Sequence, residues 1–407
     1  MLRFKKPYLF TIALLCFFYA AQAQKSRNYL IGSDADITDI AIDLIKKDKA
    51  KLRDTVEPKS SKLRISAVPA AGYTLQTGFA ALVSANAGFH TSPNAKISSM
   101  LTSFTYTTSN QVLFPFQASI WTKNNKYNFI GDWRYLYFPS FTYGLGGYTK
   151  LSDGYIINYS SIRLHQTVLR KVRENMYAGI GYNLDYFWNV KELNLAAGMV
   201  TDFQKYEKMP NSIINNTQTQ SGITFNFLYD SRENSINAEG GEFINVIYRP
   251  NLALFGNNNT CKALVIDLRK YIRLSKRSEN VLAFWTYEWL TVNGTPPYLM
   301  LPNTGSDPYS NTGRGYIQGR YRGANMLYAE GEYRFKIAPS GLIGGVIFAN
   351  AESFTETASG KFETIAPAAG AGVRLKLNKY SRTNLAIDYG IGIGGSHGVS
   401  VNLGEVF

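Results

Sequence analysis

Polar and apolar residues alternate along this chain with a period of two from about Leu63 to the C-terminus. The segment 128–137 shows the pattern most clearly, with one aromatic and one polar face: Phe129, Trp133, Tyr135 and Tyr137 against Asn128, Asp132 and Arg134. Since successive side chains of a β-strand point to opposite sides of a sheet, this pattern predicts strands that separate an apolar from a polar environment. Residues 63–407 are therefore predicted to be all-β.

Alternation alone does not distinguish a soluble β-sandwich from a membrane barrel. The alternating segments here run to ten or more residues, which suits tilted strands that cross a bilayer, whereas strands of soluble sheets average about 5–6 residues. Their apolar faces carry large aromatic residues, and the chain contains 28 Tyr and 24 Phe. Strand length and aromatic content together predict a transmembrane β-barrel whose apolar face meets lipid.

The predicted fold is an all-β, 16-stranded antiparallel transmembrane β-barrel of an outer membrane, with a short N-terminal periplasmic segment. The even strand number places both chain ends in the periplasm. The predicted connections alternate between the periplasmic and the external side of the membrane. Every long connection falls on the external side: 139–154, 191–218, 295–324 and 352–362. Short periplasmic turns and longer external loops are the expected asymmetry of such barrels. The last strand is predicted over residues 396–407.

Residues 1–23 are predicted to be a signal peptide, because basic residues precede a short apolar stretch and Ala21-Gln22-Ala23 offers a cleavage site. Residues 24–62 form a periplasmic leader and residues 63–407 form the barrel. Within the leader, apolar residues repeat at helical spacing from Asp36 to Arg53, and Ser33 with Asp36 resembles a capping box. Three interpretations stay open for this segment: a marginal helix in a poorly ordered leader, a helix that docks a periplasmic or lipoprotein partner, or a plug that enters the barrel.

The charge and the residue inventory limit the function classes. The chain has a formal net charge of +14, which favours contact with anionic outer-membrane lipids and lipopolysaccharide or acidic partners, or merely a solvated basic surface. Nucleic acid is not expected as a partner of an exported chain. The three histidines, His90, His165 and His397, show no Ser or Asp constellation, and no metal-ligand spacing occurs. We therefore expect no catalytic residues, no metal, no cofactor and no enzymatic activity.

Three motifs point to one family. Gly313-Arg314-Gly315-Tyr316 lies in the longest late loop, directly before the strand 326–336. Asp230-Ser231-Arg232 is followed by a glycine pair at 240–241, and the chain ends with Val401-Asn-Leu-Gly-Glu-Val-Phe. This combination resembles the BamA/TamA outer-membrane assembly-factor family, the bacterial surface antigen barrels, over about residues 63–407. The leader 24–62 is too short to hold one of the POTRA modules of that family, so the chain resembles a short member that lacks them.

The resemblance implies a site in the barrel lumen. The loop of Arg314, Gly315 and Tyr316 is expected to fold back into the lumen. There the carboxylates of Glu330 and Glu332 on the following strand would accept hydrogen bonds from the arginine side chain. Asn350 stands where relatives often carry Asp, so Arg314 is expected to rely on that one strand alone. Val401, Leu403 and Phe407 are expected to share the lipid-facing side of the last strand, similar to the signal by which assembly machinery recognises barrels.

The resemblance also implies participation in outer-membrane protein assembly or translocation, with unfolded outer-membrane proteins as clients. The alternative is a passive, anion-preferring pore or a structural outer-membrane protein, with a lumen lined by basic residues: Arg134, Arg269, Arg273, Arg374 and Lys376. Against an open pore, the loop 295–324 is long enough to fill the lumen. The sequence does not identify the client, the members of any complex, or whether the seam between the first and last strands opens.

Overall fold

The computed structural model describes residues 35–37, 39–40, 63–74, 77–207, 217–256, 260–275 and 278–407. In these ranges seventeen strands form one antiparallel sheet. They are β1 (Arg64–Thr74), β2 (Gly78–Phe89), β3 (Ser98–Thr107), β4 (Val112–Trp121), β5 (Tyr127–Tyr137), β6 (Ser140–Thr142), β7 (Tyr155–Arg173), β8 (Met176–Leu193), β9 (Gln218–Asp230), β10 (Gly241–Asn251), β11 (Cys261–Ser275), β12 (Ser278–Gly294), β13 (Met326–Lys336), β14 (Ile343–Phe354), β15 (Ala366–Asn378), β16 (Thr383–Gly392) and β17 (His397–Leu403). The predicted signal peptide, residues 1–23, lies outside the described residues.

The short strand β6 continues β5. Both strands pair with β7, β5 through residues 127–137 and β6 through residues 140–142. Pro139 stands between them and has no backbone N–H to donate, so the ladder is interrupted there. The sheet described here therefore contains sixteen crossing strands, as predicted.

The outer surface of the sheet is apolar and the inner surface is polar, which confirms the predicted barrel fold. On β5 the side chains of Phe129 and Trp133 are 46% and 43% exposed, whereas Asn128, which precedes Phe129 and points to the opposite side, is 1% exposed. The same alternation places charged residues of β13 and β16 inside the barrel. Hydrocarbon contact on one side and a hydrated bore on the other account for this pattern. Among the described residues, no helix is long and apolar enough to span a membrane.

The two ends of the barrel differ. We call the end with short connections, such as residues 337–342 and 379–382, the turn end, and the opposite end the loop end. At the loop end, helix α1 (Asp202–Glu207) packs with a 3₁₀ turn (Tyr298–Met300) over an apolar cluster. We call the helix, the turn and this cluster together the cap. The cluster contains Tyr155, Ile157, Val190, Tyr206, Tyr298 and Leu301. The cap covers part of the loop end.

The edge strands β1 and β17 lie side by side. Pairing runs without a break from β1 with β2 to β16 with β17, but no register of paired residues joins β17 to β1 in the described ranges. β17 spans only 7 residues and ends at Leu403. The prediction that the last strand extends to Phe407 is therefore wrong, because the chain turns away from the sheet at Gly404, where φ is +100°.

The described part of the leader begins a helix at the turn end. The N–H of Asp36 donates to Asp39 Oδ2 at 3.1 Å and the N–H of Asp39 donates to Asp36 Oδ1 at 3.0 Å, the reciprocal bonds of a capping box. These bonds form three residues further along than predicted for Ser33, which lies outside the described residues. Asp36 Oδ2 also accepts the N–H of Lys379 at 3.0 Å, and Lys379 Nζ lies 3.1 Å from Asp39 Oδ2. The leader is thus tied to the β15–β16 turn, and most of the predicted helix from Asp36 to Arg53 lies outside the described residues.

Candidate functional site in the barrel lumen

The connection between β12 and β13, residues 295–325, enters the lumen, and we call it loop L6. Its tip turns at Asp307, whose carboxylate accepts the N–H groups of Tyr309, Asn311 and Thr312 at 3.0, 2.7 and 2.6 Å. Such Asx bonds replace backbone pairing where the chain reverses. The carbonyl oxygen of Pro308 then accepts the side-chain amide of Gln117 at 3.0 Å and the guanidinium of Arg134. L6 therefore reaches from β12 and β13 across the lumen to β4 and β5.

Arg314 of L6 is held by three carboxylates. Its Nη1 lies 2.8 Å from Asp388 Oδ2, and its Nη2 contacts the carboxylates of Glu330 and Glu332. Its guanidinium carbon lies 3.8 Å from the centroid of the Phe348 ring. Because Arg314 is 5% exposed, its charge needs these partners in place of water.

Two further arginines extend these contacts into a lumen charge cluster, which contains Arg314, Arg334, Arg374, Glu330, Glu332, Asp388 and Glu405. Arg374 lies 2.5 Å from Asp388 and 2.7 Å from Glu405, and Arg334 lies 2.7 Å from Glu332. Each arginine is bound to more than one acceptor, and three of the carboxylates are each shared between two arginines: Glu332, Asp388 and Glu405. The cluster consequently joins L6, β13, β15, β16 and the residues after β17 in one network.

The expectation that Arg314 relies on β13 alone is wrong, because Asp388 of β16 also binds it. β13 and β16 are separated by two strands, and the curvature of the barrel directs their inner side chains toward a common point. Asn350 of β14 does not bind the guanidinium but donates from Nδ2 to the Arg314 carbonyl oxygen at 2.9 Å. Asp388 lies on the polar face of the alternating pattern of β16, so this pattern could have identified it as a candidate partner of Arg314.

Glycines on the barrel wall let L6 approach closely. A Cβ atom on Gly390 would lie 2.7 Å from the backbone nitrogen of Gly315, and one on Gly392 would lie 2.5 Å from the Tyr316 ring. Gly315 itself has a φ of +106°, a conformation that side chains disfavour. Tyr316 Oη donates to the carbonyl oxygen of Pro367 at 2.6 Å and accepts the N–H of Ile393 at 3.1 Å. The Arg-Gly-Tyr motif thus rests in a groove lined by β15 and β16.

The three residues of the predicted C-terminal signal do not share one face. Val401 is 42% exposed on the outer surface and Leu403 is half-buried, whereas Phe407 is 5% exposed inside the barrel. The chain leaves the sheet at Gly404, where φ is +100°, and residues 404–407 turn into the lumen. We call these four residues the tail.

Four of the five basic residues expected to attract anions are paired with acids. Arg134 lies 2.6 Å from Asp132, Arg269 lies 2.7 Å from Asp267, and Arg273 lies 2.6 Å from Glu239. Arg374 belongs to the lumen charge cluster. The field that these arginines present to a passing anion is therefore largely cancelled within the wall.

The remaining sequence candidates lie outside the cluster. Arg232 of the Asp-x-Arg motif binds Asp230 at 2.9 Å and lies over the Phe243 ring at 4.3 Å. His165 Nε2 lies 2.9 Å from Asp185, which also binds Arg249 at 2.7 Å. In the part of the chain that the structure describes, no group of three or more His, Cys, Asp or Glu residues is placed to hold a metal ion.

Comparison with known proteins agrees with this architecture. The sequence profile of the Omp85 superfamily domain matches residues 148–405, more than half of the chain. The fold is similar to that of BamA from Haemophilus ducreyi lacking POTRA domains 1–3, with a TM-score of 0.52 and 16% identity over 83% of this chain and 70% of that one. It is also similar to CdiB from Acinetobacter baumannii (TM-score 0.51, 11% identity, 85% of this chain and 66% of that one). CdiB from Escherichia coli gives a TM-score of 0.54 at 9% identity over 85% of this chain and 62% of that one. No curated protein sequence matches this chain.

Proposed function

Because this chain belongs to the Omp85 superfamily, we propose that it takes part in the insertion of other polypeptides into the outer membrane or their translocation across it. The observation that carries the proposal is the seam. β1 and β17 lie side by side without a register of paired residues in the described ranges. Unpaired backbone groups are costly inside a bilayer, and a strand edge is a template for another strand. An incoming polypeptide would satisfy both edges.

The proposal includes an orientation. The turn end faces the periplasm, with the leader and the tail on that side, and the loop end faces outward. Unfolded outer-membrane proteins are the clients, and lipid with lipopolysaccharide surrounds the apolar face. The segment from Asp36 to Arg53 is offered to a periplasmic or lipoprotein partner, and the contacts of Asp36 and Asp39 with Lys379 support a docking position near the β15–β16 turn.

The structure gives less support to the passive anion-preferring pore. L6 crosses the lumen from Arg314 at one wall to Gln117 at the other, and the cap covers part of the loop end. Arg134, Arg269 and Arg374, which this alternative would use to attract anions, are already paired with acids. We assign no catalytic role to the chain.

The proposal is tested by depleting the protein from its own bacterium and quantifying the outer-membrane proteome. Broad loss of β-barrel proteins supports a general role in assembly, whereas loss of one species supports dedicated export. Restoration by the wild-type gene is the control for indirect effects. An unchanged proteome after complete depletion contradicts the proposal.

A further inference from the structure

A cavity with mostly apolar walls lies at the loop end, next to the turn between β16 and β17. Its volume is about 230 Å³, and it is open on one side. The walls come from β6 and the β6–β7 connection, from L6, and from the β16–β17 turn. The lining residues are Phe141, Tyr143, Leu151, Ile317, Gly395 and Ser396. None of these residues belongs to the lumen charge cluster, so the cavity is a separate feature of the barrel.

Hydrogen bonds and a cation–ring contact hold the walls of the cavity in place. L6 is tied to the β16–β17 turn by Tyr316 Oη, which accepts the N–H of Ile393 at 3.1 Å. L6 is tied to the β6–β7 connection by Arg320, whose Nη1 donates to Thr149 Oγ1 at 2.8 Å. The guanidinium carbon of Arg320 also lies 5.2 Å from the centroid of the Tyr143 ring. A ligand therefore meets walls that are already positioned, which lowers the entropic cost of binding.

The cavity adjoins the lipid-facing surface of the barrel on two sides. On one side, β6 continues β5, and the alternation puts Phe141 on the same face as the exposed Phe129 and Trp133. On the other side, Ile391 at the end of β16 and Ile393 in the following turn are both exposed. The apolar surface that meets hydrocarbon thus continues to the mouth of the cavity.

The size and the lining of the cavity favour an apolar ligand. An apolar cavity of about 150 Å³ accepts benzene, so this cavity has room for a stretch of acyl chain. In the part of the chain that the structure describes, no charged side chain lines it. Ser396 adds one polar group, because it is 3% exposed and its hydroxyl has no hydrogen-bond partner among the described residues. A buried hydroxyl gains from such a partner, and the carbonyl oxygen of an acyl ester can provide it.

We propose that this cavity binds one acyl chain of lipopolysaccharide. The chain enters from the adjoining lipid-facing surface and contacts Ile317 of L6, Tyr143 and the β16–β17 turn together. Lipopolysaccharide is the source of the chain because the loop end faces outward in the proposed orientation, toward the outer leaflet. The inference deepens the proposed function by giving the surrounding lipid a defined site, and for the choice of leaflet it rests on that function.

The experiment uses the purified, folded, full-length barrel in vesicles of phosphatidylcholine. A small fraction of this lipid carries a photoreactive diazirine on one acyl chain, and the labelled residues are identified by mass spectrometry after illumination. Tyr143 is 6% exposed and lines the cavity, so an adduct on Tyr143 reports the entry of a chain. An adduct on Phe129 reports ordinary contact with lipid. The wild-type protein should carry both adducts.

Unlabelled lipids then identify the source of the chain. Lipopolysaccharide should reduce the Tyr143 adduct more strongly than the same amount of unlabelled phosphatidylcholine does. The Phe129 adduct should fall equally with both lipids, because that position only samples the bulk lipid.

Variants that fill the cavity separate it from the rest of the lipid-facing surface. Ser396→Phe should abolish the Tyr143 adduct and leave the Phe129 adduct unchanged. Ser359→Phe makes the same change at an exposed loop position outside the lining, and this matched control should label as wild type does. Ile317→Trp, which fills the cavity from L6, replaces Ser396→Phe if that variant does not fold.

The proposal is overturned if wild-type Tyr143 carries no adduct, or if the filled variants label Tyr143 as strongly as wild type. An equal effect of the two unlabelled lipids on Tyr143 would reject lipopolysaccharide as the ligand. Loss of the Tyr143 adduct with an unfolded outer-membrane protein, but not with lipopolysaccharide, would assign the cavity to a polypeptide side chain instead. Tyr143 labelling that responds to lipopolysaccharide, together with an unchanged proteome after depletion, would retain the lipid site and reject the proposed function.

Discussion

Nη1 of Arg314 in L6 lies 2.8 Å from Oδ2 of Asp388 on β16, although the two residues are 74 positions apart in the chain. β16 is the strand that pairs with the edge strand β17. Glu405 of the tail reaches the same cluster through Arg374. The loop that fills the lumen, the strand beside the seam and the C-terminal tail are therefore connected by one set of ion pairs. A change in any of them is expected to be transmitted to the others.

Replacing Arg314 by Ala should lower the yield and heat resistance of the folded barrel. The substitution leaves Glu330, Glu332 and Asp388 with less positive charge in a buried site, and breaking a buried charge pair costs on the order of 3–5 kcal/mol. The measurement is the temperature at which the heat-modifiable band disappears on gels. Lys361→Ala, which removes the same charge from an exposed loop position, is the control. Equal yield and migration of the two variants would count against the role of Arg314.

A pair of glycines provides a sharper test of the L6 groove. Gly390 and Gly398 face each other in the β16–β17 register. A Cβ atom added to Gly390 would lie 2.7 Å from the backbone nitrogen of Gly315, whereas one added to Gly398 would have no atom within 4 Å. Gly390→Ala should displace the Arg-Gly-Tyr turn and destabilise the barrel by about 1–3 kcal/mol, as overpacking does. Gly398→Ala should match wild type in the same unfolding assay. A common effect of both substitutions would mean that strand propensity, not L6, sets the outcome.

Single-channel recording should show small, brief currents for the wild-type protein. L6 spans the lumen between Arg314 and the contacts of Pro308 with Gln117 and Arg134. A Gln117→Ala, Arg134→Ala double variant loses the anchors at the far wall and should show larger or longer openings. A large, steady anion current through the wild-type barrel would instead establish the passive pore.

The cap is expected to be more stable in acid. Burial raises the pKa of the Glu207 carboxyl above its ordinary value, against the hydrogen bonds that it accepts from Tyr298 N–H and Gln218. Since the folded pKa exceeds the unfolded one, the stabilisation from protonation is complete below the unfolded pKa. It is lost as the pH rises through the folded pKa.

Hydrogen exchange at the Tyr298 amide should therefore slow as the pH falls through that range, after correction for intrinsic exchange. Glu207→Gln should abolish this dependence and protect the amide at neutral pH. Asp153→Asn, at an exposed site of another loop, should keep the wild-type profile. Persistence of the pH dependence in Glu207→Gln would assign it to another group.

The strand ladder could be predicted because its signal is local. Two-residue periodicity, as in β5 and β13, depends only on which side of the wall each side chain meets. The place of Arg314 in a long loop before β13 also followed from a motif within the chain. By contrast, the contact between Arg314 of L6 and Asp388 of β16 depends on how the whole sheet curves. No pattern in a short window of sequence predicts a contact between residues 74 positions apart.

The sequence by itself determined a sixteen-stranded barrel with an apolar exterior, because the bilayer imposes the same alternation on every strand. Only the tertiary structure decided that Phe407 turns inward. Its spacing from Val401 and Leu403 is that of a lipid-facing residue, yet Gly404 changes the chain direction and Trp285, Arg334 and Asn311 are available across the lumen. These contacts come from strands and a loop that are distant in the chain, so they exist only once the barrel has formed.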